Sequence, residues 1–550
     1  MEELQDASIH HMTAKVIAAI KNTKCYEPIY EELQRLVASP SVDKNDMRNT
    51  LEDAIKAAGL ETEIRNMIYN LVRSRLEKLD VTETRQTSKA TQSDPLGYLK
   101  RAGVLWDRRV RKSLNAMCGE LKVPLHGQPR ISADREDFVA KWNELSNYNM
   151  DLSNYRPVYA PKDLLEVLLS LKGPARTSEN TEYVNNRIKY ICTLNYILDK
   201  RNSIFHSQIP QWEFSHIALP VKNLFELRTH YADLLRSDHY SVPDLNVQCQ
   251  RILDSRHAPM CQQYLKKGCT PAPYRGALWA SVLDSKLHDY VSSKLQSLIR
   301  SVTYNLSLKD IEYWQKLRNT VWTTDHIVDK LVFKDIQLTA SNDDQYFVFE
   351  DVLYQVLLCF SRDTDIASCV EYESFPVKGK TYEGPPSGVV PFHGICMFAA
   401  PFCYLYDSPV CLYYTFRAFY IRYCHRLTTI NTHPQGIVSL CLLFEKLLQT
   451  YEPQLWSHFR ELQIQPLRVV FKWLMRGFSG HLPPDQLLVL WDLILGFDSL
   501  EILPLFAIII LSFRKESIMQ VASLDSIEAI LADLSSIKVL PLVQLALSRD

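Results

Sequence analysis

The apolar residues of this sequence recur at the spacing of an α-helix, and the alternation typical of β-strands is nearly absent. In residues 61–79 they form one stripe of an amphipathic helix, namely Ile64, Met67, Ile68, Leu71, Val72 and Leu76. The longest apolar run, LEILPLFAIIILSF at residues 500–513, is shorter than the ~20 residues that a membrane-spanning helix needs. It also contains Pro504, so it predicts a buried helix. We therefore expect an all-α protein.

Charge and cysteine content exclude several classes of protein. With 62 basic and 63 acidic residues the formal net charge is -1, so no chain-wide field attracts nucleic acid or membrane. The 13 cysteines are scattered without a C-x-x-C pair, which predicts reduced thiols and neither a disulfide framework nor a zinc site. The first residues carry acids where a secretory signal needs basic residues. We expect a cytoplasmic protein with no metal and no cofactor.

Changes in composition divide the 550 residues into five parts. The polar segment VTETRQTSKATQSDP has no apolar period and ends in proline, which predicts a linker. Near residue 260, long apolar helices and tryptophans become frequent. The predicted parts are an N-terminal helical region at 1–80, the linker at 81–95, a middle helical region at 96–260, a large helical domain at 266–515 and a helical tail at 516–550.

Two segments of the middle region invite functional interpretations. YLKRAGVLWDRRVRKSL places six basic residues around one acid, Asp107. This basic cluster could bind an acidic partner or anionic lipid, or it could simply be a solvated helix face. KRNSIFHS resembles the R-N-x-x-x-H signature of the all-helical HEPN ribonucleases, with Arg201, Asn202 and His206 as the candidates. Three fixed positions in so short a segment make a weak signal, so ribonuclease activity is a remote alternative.

Four ordered blocks in the C-terminal half carry a more specific resemblance. KKGCTPAPYRGALWASVL contains Arg275, Gly276 and Trp279, and FKWLMRGFSGHLPPDQLLVLWDLIL contains Trp473 and Trp491. Between them lie FEDVLYQVLLCFSRDTDI and HGICMFAAPF. These blocks resemble the TBC domain of GTPase-activating proteins for Rab small GTPases, which implies a two-lobed helical fold and a role in membrane trafficking. The three tryptophans are expected in the core.

The resemblance also implies a catalytic mechanism with two fingers. Small GTPases hydrolyse GTP slowly because charge on the transferred phosphoryl group is unstabilised and the attacking water is poorly held. A TBC domain supplies an arginine from an I-x-x-D-x-x-R motif and a glutamine from a Y-x-Q-G motif. A guanidinium group is permanently charged and offers a planar set of donors to phosphate. A glutamine amide donates and accepts at one end.

This sequence departs from the family pattern at both finger positions. In VFKDIQLT, Asp335 matches the aspartate, whereas Leu338 stands at the arginine. In PFHG, Gly394 matches the glycine, Pro391 stands at the tyrosine and His393 stands at the glutamine. Leucine has neither a charge nor a donor, so the resemblance implies impaired catalysis.

No arginine lies between Arg318 and Arg362, and the nearest cations in the sequence are Lys330 and Lys334. We expect a regulator that binds GTP-loaded Rab with little catalysis, and the alternative is an active GTPase activator that uses His393 with a lysine. A Rab is the expected partner, nucleic acid is not, and membrane contact is expected only through the Rab. Asp335 and Arg275 are interpreted as members of structural ion pairs.

The segment around the second finger carries two further expectations. Pro391–Tyr406 is apolar on nearly every face and predicts a buried helix. Residues 369–388 are rich in Gly, Pro and Tyr and predict a recognition loop beside the GTPase-facing groove.

Overall fold

A computed structural model describes six parts of the chain, which are residues 26–37, scattered positions between 48 and 69, and the ranges 97–171, 242–283, 308–370 and 382–547. The predicted linker at 81–95 lies outside the described residues, as do Arg201, Asn202 and His206. The proposed five-part division of the chain stays a prediction.

The described residues are predominantly helical. Up to residue 282 the helices are α1 Tyr26–Val37, α2 Gly97–Leu121, α3 Ser132–Ala140, α4 Pro161–Ser170, α5 Val242–Asp254, α6 Ala258–Leu265 and α7 Ala272–Val282. Those that follow, up to residue 428, are α8 Leu308–Thr323, α9 Ile327–Leu338, α10 Glu350–Arg362, α11 Thr364–Val370, α12 Cys396–Ala399, α13 Pro409–Phe419 and α14 His425–Thr428. The remaining helices are α15 Ile437–Tyr451, α16 Pro453–Glu461, α17 Pro466–Met475, α18 Pro484–Phe497, α19 Ile502–Phe513, α20 Lys515–Met519, α21 Leu524–Ile530 and α22 Val539–Leu547.

Short irregular helices and one ribbon complete the secondary structure. The 3₁₀ turns are Leu145–Asn147, Ala340–Asn342, Phe347–Phe349 and Ala400–Tyr404, and a π-helical turn spans Tyr420–Cys424. Strands β1 Gln128–Pro129 and β2 Thr324–Asp325 pair antiparallel. The prediction of an all-α fold is confirmed.

The apolar run near the C-terminus forms a buried helix, as its composition predicts. It forms α19, with Pro504 in the first turn, where a missing N–H leaves no helical bond unmade. None of the helices within the described ranges combines the length and apolar character needed to cross a membrane.

The tryptophans of the family blocks lie in the core. Trp279, Trp473 and Trp491 are each at most 1% exposed. The indole of Trp491 stacks on Phe419 with 4.7 Å between ring centroids. Helix α18 packs against α6, and α15 packs against α19. These helices surround the buried tryptophans with aliphatic side chains. The prediction that these tryptophans serve packing is confirmed.

Residues 97–171 pack against the C-terminal helices rather than standing apart. The Arg130 guanidinium pairs with the buried carboxylate of Asp329 at 3.1 Å. The Gln355 side chain donates to the carbonyl of Trp142 at 2.8 Å. The buried apolar residues of α2, such as Leu114, belong to the same core cluster as α9 and α10. This part of the chain is therefore a layer of the same folded unit.

The prediction of one helix from Pro391 to Tyr406 is wrong in its extent. The chain turns at Gly394, where φ is +100° and favours glycine, and α12 covers only four residues. Pro401 then lacks the N–H that an α-helix would need, and a 3₁₀ turn takes over. The burial of the segment is as predicted, since Phe398 and Phe402 are inaccessible to solvent or nearly so.

Candidate functional site

Helix α9 places the two residues of the first finger motif in opposite environments. Asp335 is 2% exposed, whereas Leu338 is 43% exposed. The difference arises because Leu338 is the last residue of the helix, and Thr339 leaves helical geometry with φ -127° and ψ -80°. The side chain at the predicted arginine position therefore reaches the surface, but it carries no charge.

The carboxylate of Asp335 connects the two finger segments. It accepts the backbone N–H groups of Gly394 at 2.6 Å and Cys396 at 2.9 Å. The Cys396 thiol is also hydrogen-bonded to this carboxylate. The Nδ1 atom of His393 lies 3.8 Å from Oδ1. Burial raises the pKa of Asp335, and the two amide hydrogen bonds oppose that shift. Among the residues described, the hydrogen-bond partners of this carboxylate are thus two backbone amides and the Cys396 thiol rather than a lysine or arginine.

The backbone of His393 is held from two sides. Its N–H donates to the carbonyl of Tyr159 at 2.9 Å, and its carbonyl accepts from Nη2 of Arg476 at 3.1 Å. The ring of the preceding Phe392 stacks on the Tyr159 ring, with 5.2 Å between centroids and 18° between planes. The loop that carries the second finger position is consequently fixed by residues far away in the sequence.

The imidazole of His393 is partly accessible to solvent, and its surroundings favour the neutral form. Its side chain is 34% exposed. Burial lowers the pKa of His393, the Arg476 charge lowers it further, and the Asp335 charge opposes both. A neutral imidazole donates from one nitrogen and accepts at the other, on different edges of the ring. Such a ring holds a water less completely than a glutamine amide, which offers both groups at one end.

Arg476 is a residue of the site that the sequence motifs do not identify. It directly follows helix α17, and its guanidinium lies so close to Gly394 that a Cβ there would overlap it. Glycine is needed at 394 both for the positive φ and for this close approach. Burial lowers the pKa of Arg476, although the guanidinium stays charged at neutral pH. The residue does lie in the WLMRGFS block, but its spacing from Trp473 gives no sign of a contact with His393.

The two lysines considered as substitutes differ in their availability. Lys330 forms an ion pair with Asp325, and its side chain is only 12% exposed. Lys334 is half-buried on α9, and Pro391 is buried where the chain enters the His393 loop. Lys330 would have to break an ion pair before it could contact a bound nucleotide.

Arg275 and Trp279 converge on one buried carboxylate. Nε of Arg275 donates to Asp492 at 3.0 Å, and the indole Nε1 of Trp279 donates to its other oxygen at 2.6 Å. Asp492 is inaccessible to solvent. This cluster ties α7 to α18, and its hydrogen bonds are directed into the core rather than towards a ligand.

Exposed apolar side chains lie close to Leu338 in the sequence. Phe347 and Val348, in the second 3₁₀ turn after α9, are both more than half exposed. Tyr404 is also exposed, and its hydroxyl donates to the carbonyl of Gln345 in the same turn region. Large exposed apolar side chains in one region are typical of a protein-binding surface. Within the described ranges, no cluster of His, Cys, Asp and Glu could hold a metal ion.

The predicted recognition loop is described only in part, because residues 371–381 lie outside the described residues. Its described end contacts α2 and the turn after it. The Asn115 side chain donates to the carbonyl of Glu383 at 2.9 Å, and His126 lies 2.6 Å from the Glu383 carboxylate. That end of the loop therefore lies against residues 97–171.

Comparisons with known proteins place these features in a family. The Rab-GTPase-TBC domain family matches residues 392–519. TBC1 domain family member 19 of Homo sapiens is 37% identical over 563 aligned residues, which cover 100% of this chain and 99% of that protein. A TBC domain-containing protein kinase-like protein of Dictyostelium discoideum is 30% identical over 106 residues, covering 19% of this chain and 10% of that protein.

Two solved structures are also similar. They are the Chlamydomonas flagellar RabGAP TBC domain and the YPT/RAB-GAP domain of Gyp1p. Each has a TM-score of 0.37 and 11% identity, and the matches cover 69% and 59% of this chain and 98% and 97% of theirs. On the full-length similarity to the human protein, the chain belongs to the Rab-GTPase-TBC domain family.

Proposed function

We propose that this protein binds the GTP-bound form of a Rab-family small GTPase and contributes little to the catalysis of GTP hydrolysis. The observation that carries the proposal is the exposed leucine at the arginine position. Leu338 ends α9 with its side chain at the surface, so an arginine there would be free to reach a bound GTPase. Leucine offers an apolar contact in its place.

The amount of transition-state stabilisation that an arginine finger supplies supports this interpretation. An arginine finger accelerates hydrolysis by ~10³ to 10⁵, which corresponds to about 4 to 7 kcal/mol of transition-state stabilisation. A leucine supplies none of this because it has no donor and no charge. The neutral imidazole of His393 adds only a partial substitute for the glutamine.

The alternative candidate is an active GTPase activator that uses altered residues. The pairing of Lys330 with Asp325 argues against a finger formed by that lysine. The position of Arg476 favours the alternative, since this guanidinium is hydrogen-bonded to the carbonyl of His393 itself. To stabilise a phosphoryl group, however, Arg476 would have to leave that carbonyl and its position against Gly394. For this reason we favour binding with weak catalysis.

Binding measurements across a panel of purified Rabs test the proposal. We expect the full chain to bind at least one Rab loaded with a non-hydrolysable GTP analogue and to bind the GDP form at least about ten-fold more weakly. Leu338→Asp should weaken this binding because it places a charge on an apolar contact surface. Met260→Asp is the matched control, since Met260 is similarly exposed on α6.

Two outcomes would count against the proposal. One is the absence of nucleotide-selective binding to any Rab in the panel. The other is an equal loss of binding in the Leu338 and Met260 variants, which would place the contact surface elsewhere.

A further inference from the structure

Helix α2 presents a basic face that the proposed function does not use. Its buried side consists of the apolar residues Leu99, Trp106, Val110, Leu114 and Met117. Its opposite side exposes Arg101, Leu105, Arg109 and Lys112. These four positions are separated by four, four and three residues, so they follow one face of the helix.

The charge of this face is largely uncompensated. Asp107 is the only acid between residues 97 and 117, and its carboxylate is paired with Arg111 at 2.8 Å. Lys100 and Arg108 are half-buried and engaged in other interactions, so the argument uses only the three exposed cations. The chain as a whole has a formal charge of -1, which makes this concentration of positive charge local.

An exposed leucine lies in the centre of the basic face. Leu105 is 57% exposed and lies one helical turn from Arg101 and one from Arg109. If this helix face served only to contact solvent, an exposed leucine at its centre would not stabilise it. Cations around an apolar side chain instead match an anionic bilayer, where the charges meet phosphate headgroups and the leucine enters the headgroup boundary.

We propose that Arg101, Leu105, Arg109 and Lys112 form a docking face for anionic phospholipid membranes. Each cation near an anionic surface increases membrane partitioning about five-fold, so the three together supply roughly 100-fold. This is a weak contact that fixes orientation and requires a second attachment for stable anchoring. The proposal does not depend on Rab binding, because it uses residues outside the finger site.

Vesicle co-sedimentation of the full chain tests the docking face. We expect binding to vesicles of phosphatidylcholine with 30% phosphatidylserine, no binding to pure phosphatidylcholine, and loss of binding at about 0.5 M salt. The triple variant Arg101→Gln, Arg109→Gln and Lys112→Gln should bind about 100-fold more weakly. Leu105→Ala should bind roughly ten-fold more weakly at unchanged charge.

The matched control removes three exposed cations elsewhere, through Arg251→Gln, Lys446→Gln and Arg460→Gln. It should retain vesicle binding, and the thermal midpoints of both triple variants should equal that of the unmodified chain. Equal losses in the two triple variants would overturn the proposal, as would the absence of any binding to the anionic vesicles. Binding to poly-glutamate without binding to vesicles would overturn it in favour of an acidic protein partner.

Discussion

The backbone N–H of Gly394 donates to the buried carboxylate of Asp335 at 2.6 Å. This bond joins helix α9, which carries the predicted arginine position, to the loop that carries the predicted glutamine position. The aspartate of one family motif is thus the acceptor for the glycine of the other. In this chain, the hydrogen bond therefore holds the segment of Leu338 next to the segment of His393.

Asp335→Asn should destabilise the protein, because an asparagine has one carbonyl oxygen to serve two N–H donors and its amide would face one of them. We expect a loss of ~1 to 3 kcal/mol in the free energy of unfolding, measured by urea denaturation. Asp344→Asn is the control, since Asp344 is exposed and its replacement should change stability by less than about 0.5 kcal/mol. Equal effects of the two changes would contradict the role given to Asp335.

Gly394→Ala should also destabilise the fold, because a methyl group there would overlap the Arg476 guanidinium in a backbone conformation with φ +100°. We expect a loss of ~1 to 3 kcal/mol by the same measurement. Gly119→Ala is the control, since nothing lies within 4 Å of the added Cβ in helix α2. That change should be neutral or stabilise the protein by up to about 1 kcal/mol. If Gly394→Ala also proved neutral, Arg476 would not be packed against the loop.

Trp491→Ala should cost ~3 to 5 kcal/mol, because the indole is fully buried and the cavity cannot close. Trp491→Phe should cost less free energy of unfolding, since it retains a ring against Phe419. It should still destabilise the protein, because the Gly477 carbonyl loses its hydrogen-bond donor. Thermal and urea unfolding of both variants would measure the difference. An unchanged midpoint for Trp491→Ala would show that this residue does not lie in the core.

His326 should make stability depend on pH. Burial and the neighbouring Arg362 charge lower the pKa of His326 to about 4, against about 6.5 in an unfolded chain. The unfolded state therefore binds more protons between these values, and stability falls as the pH decreases from about 6.5 to about 4. The loss from this one group amounts to about 3 kcal/mol over that window.

The His326→Gln variant should show a shallower dependence of unfolding free energy on pH between about 6.5 and 4. Urea denaturation at a series of pH values measures the slope for both proteins. Identical slopes would mean that His326 is protonated in the folded protein.

Structural features that depend on local sequence could be predicted, whereas contacts between residues far apart in the sequence could not. Helix α19 and the buried tryptophans follow from apolar patterning, which acts locally. The assignment of Leu338 and His393 to the finger positions rests on short motifs with fixed spacing and stays a prediction. The contacts of His393 with Tyr159 and Arg476 join separate parts of the chain, and no local pattern encodes them. Apolar patterning does not predict the turn at Gly394, because a buried segment is apolar on every face whatever its backbone geometry.

Single-turnover GTP hydrolysis by a bound Rab tests the finger assignment most directly. We expect weak acceleration by the unmodified chain, a gain from Leu338→Arg of up to ~10³-fold and a smaller gain from His393→Gln. The double variant should exceed either single change, because both groups act on one transition state. The ring of Pro391 should limit the gain at 393 by restricting the backbone. Rapid hydrolysis by the unmodified chain that survives replacement of His393, Lys330 and Lys334 by alanine would contradict the assignment of both finger positions.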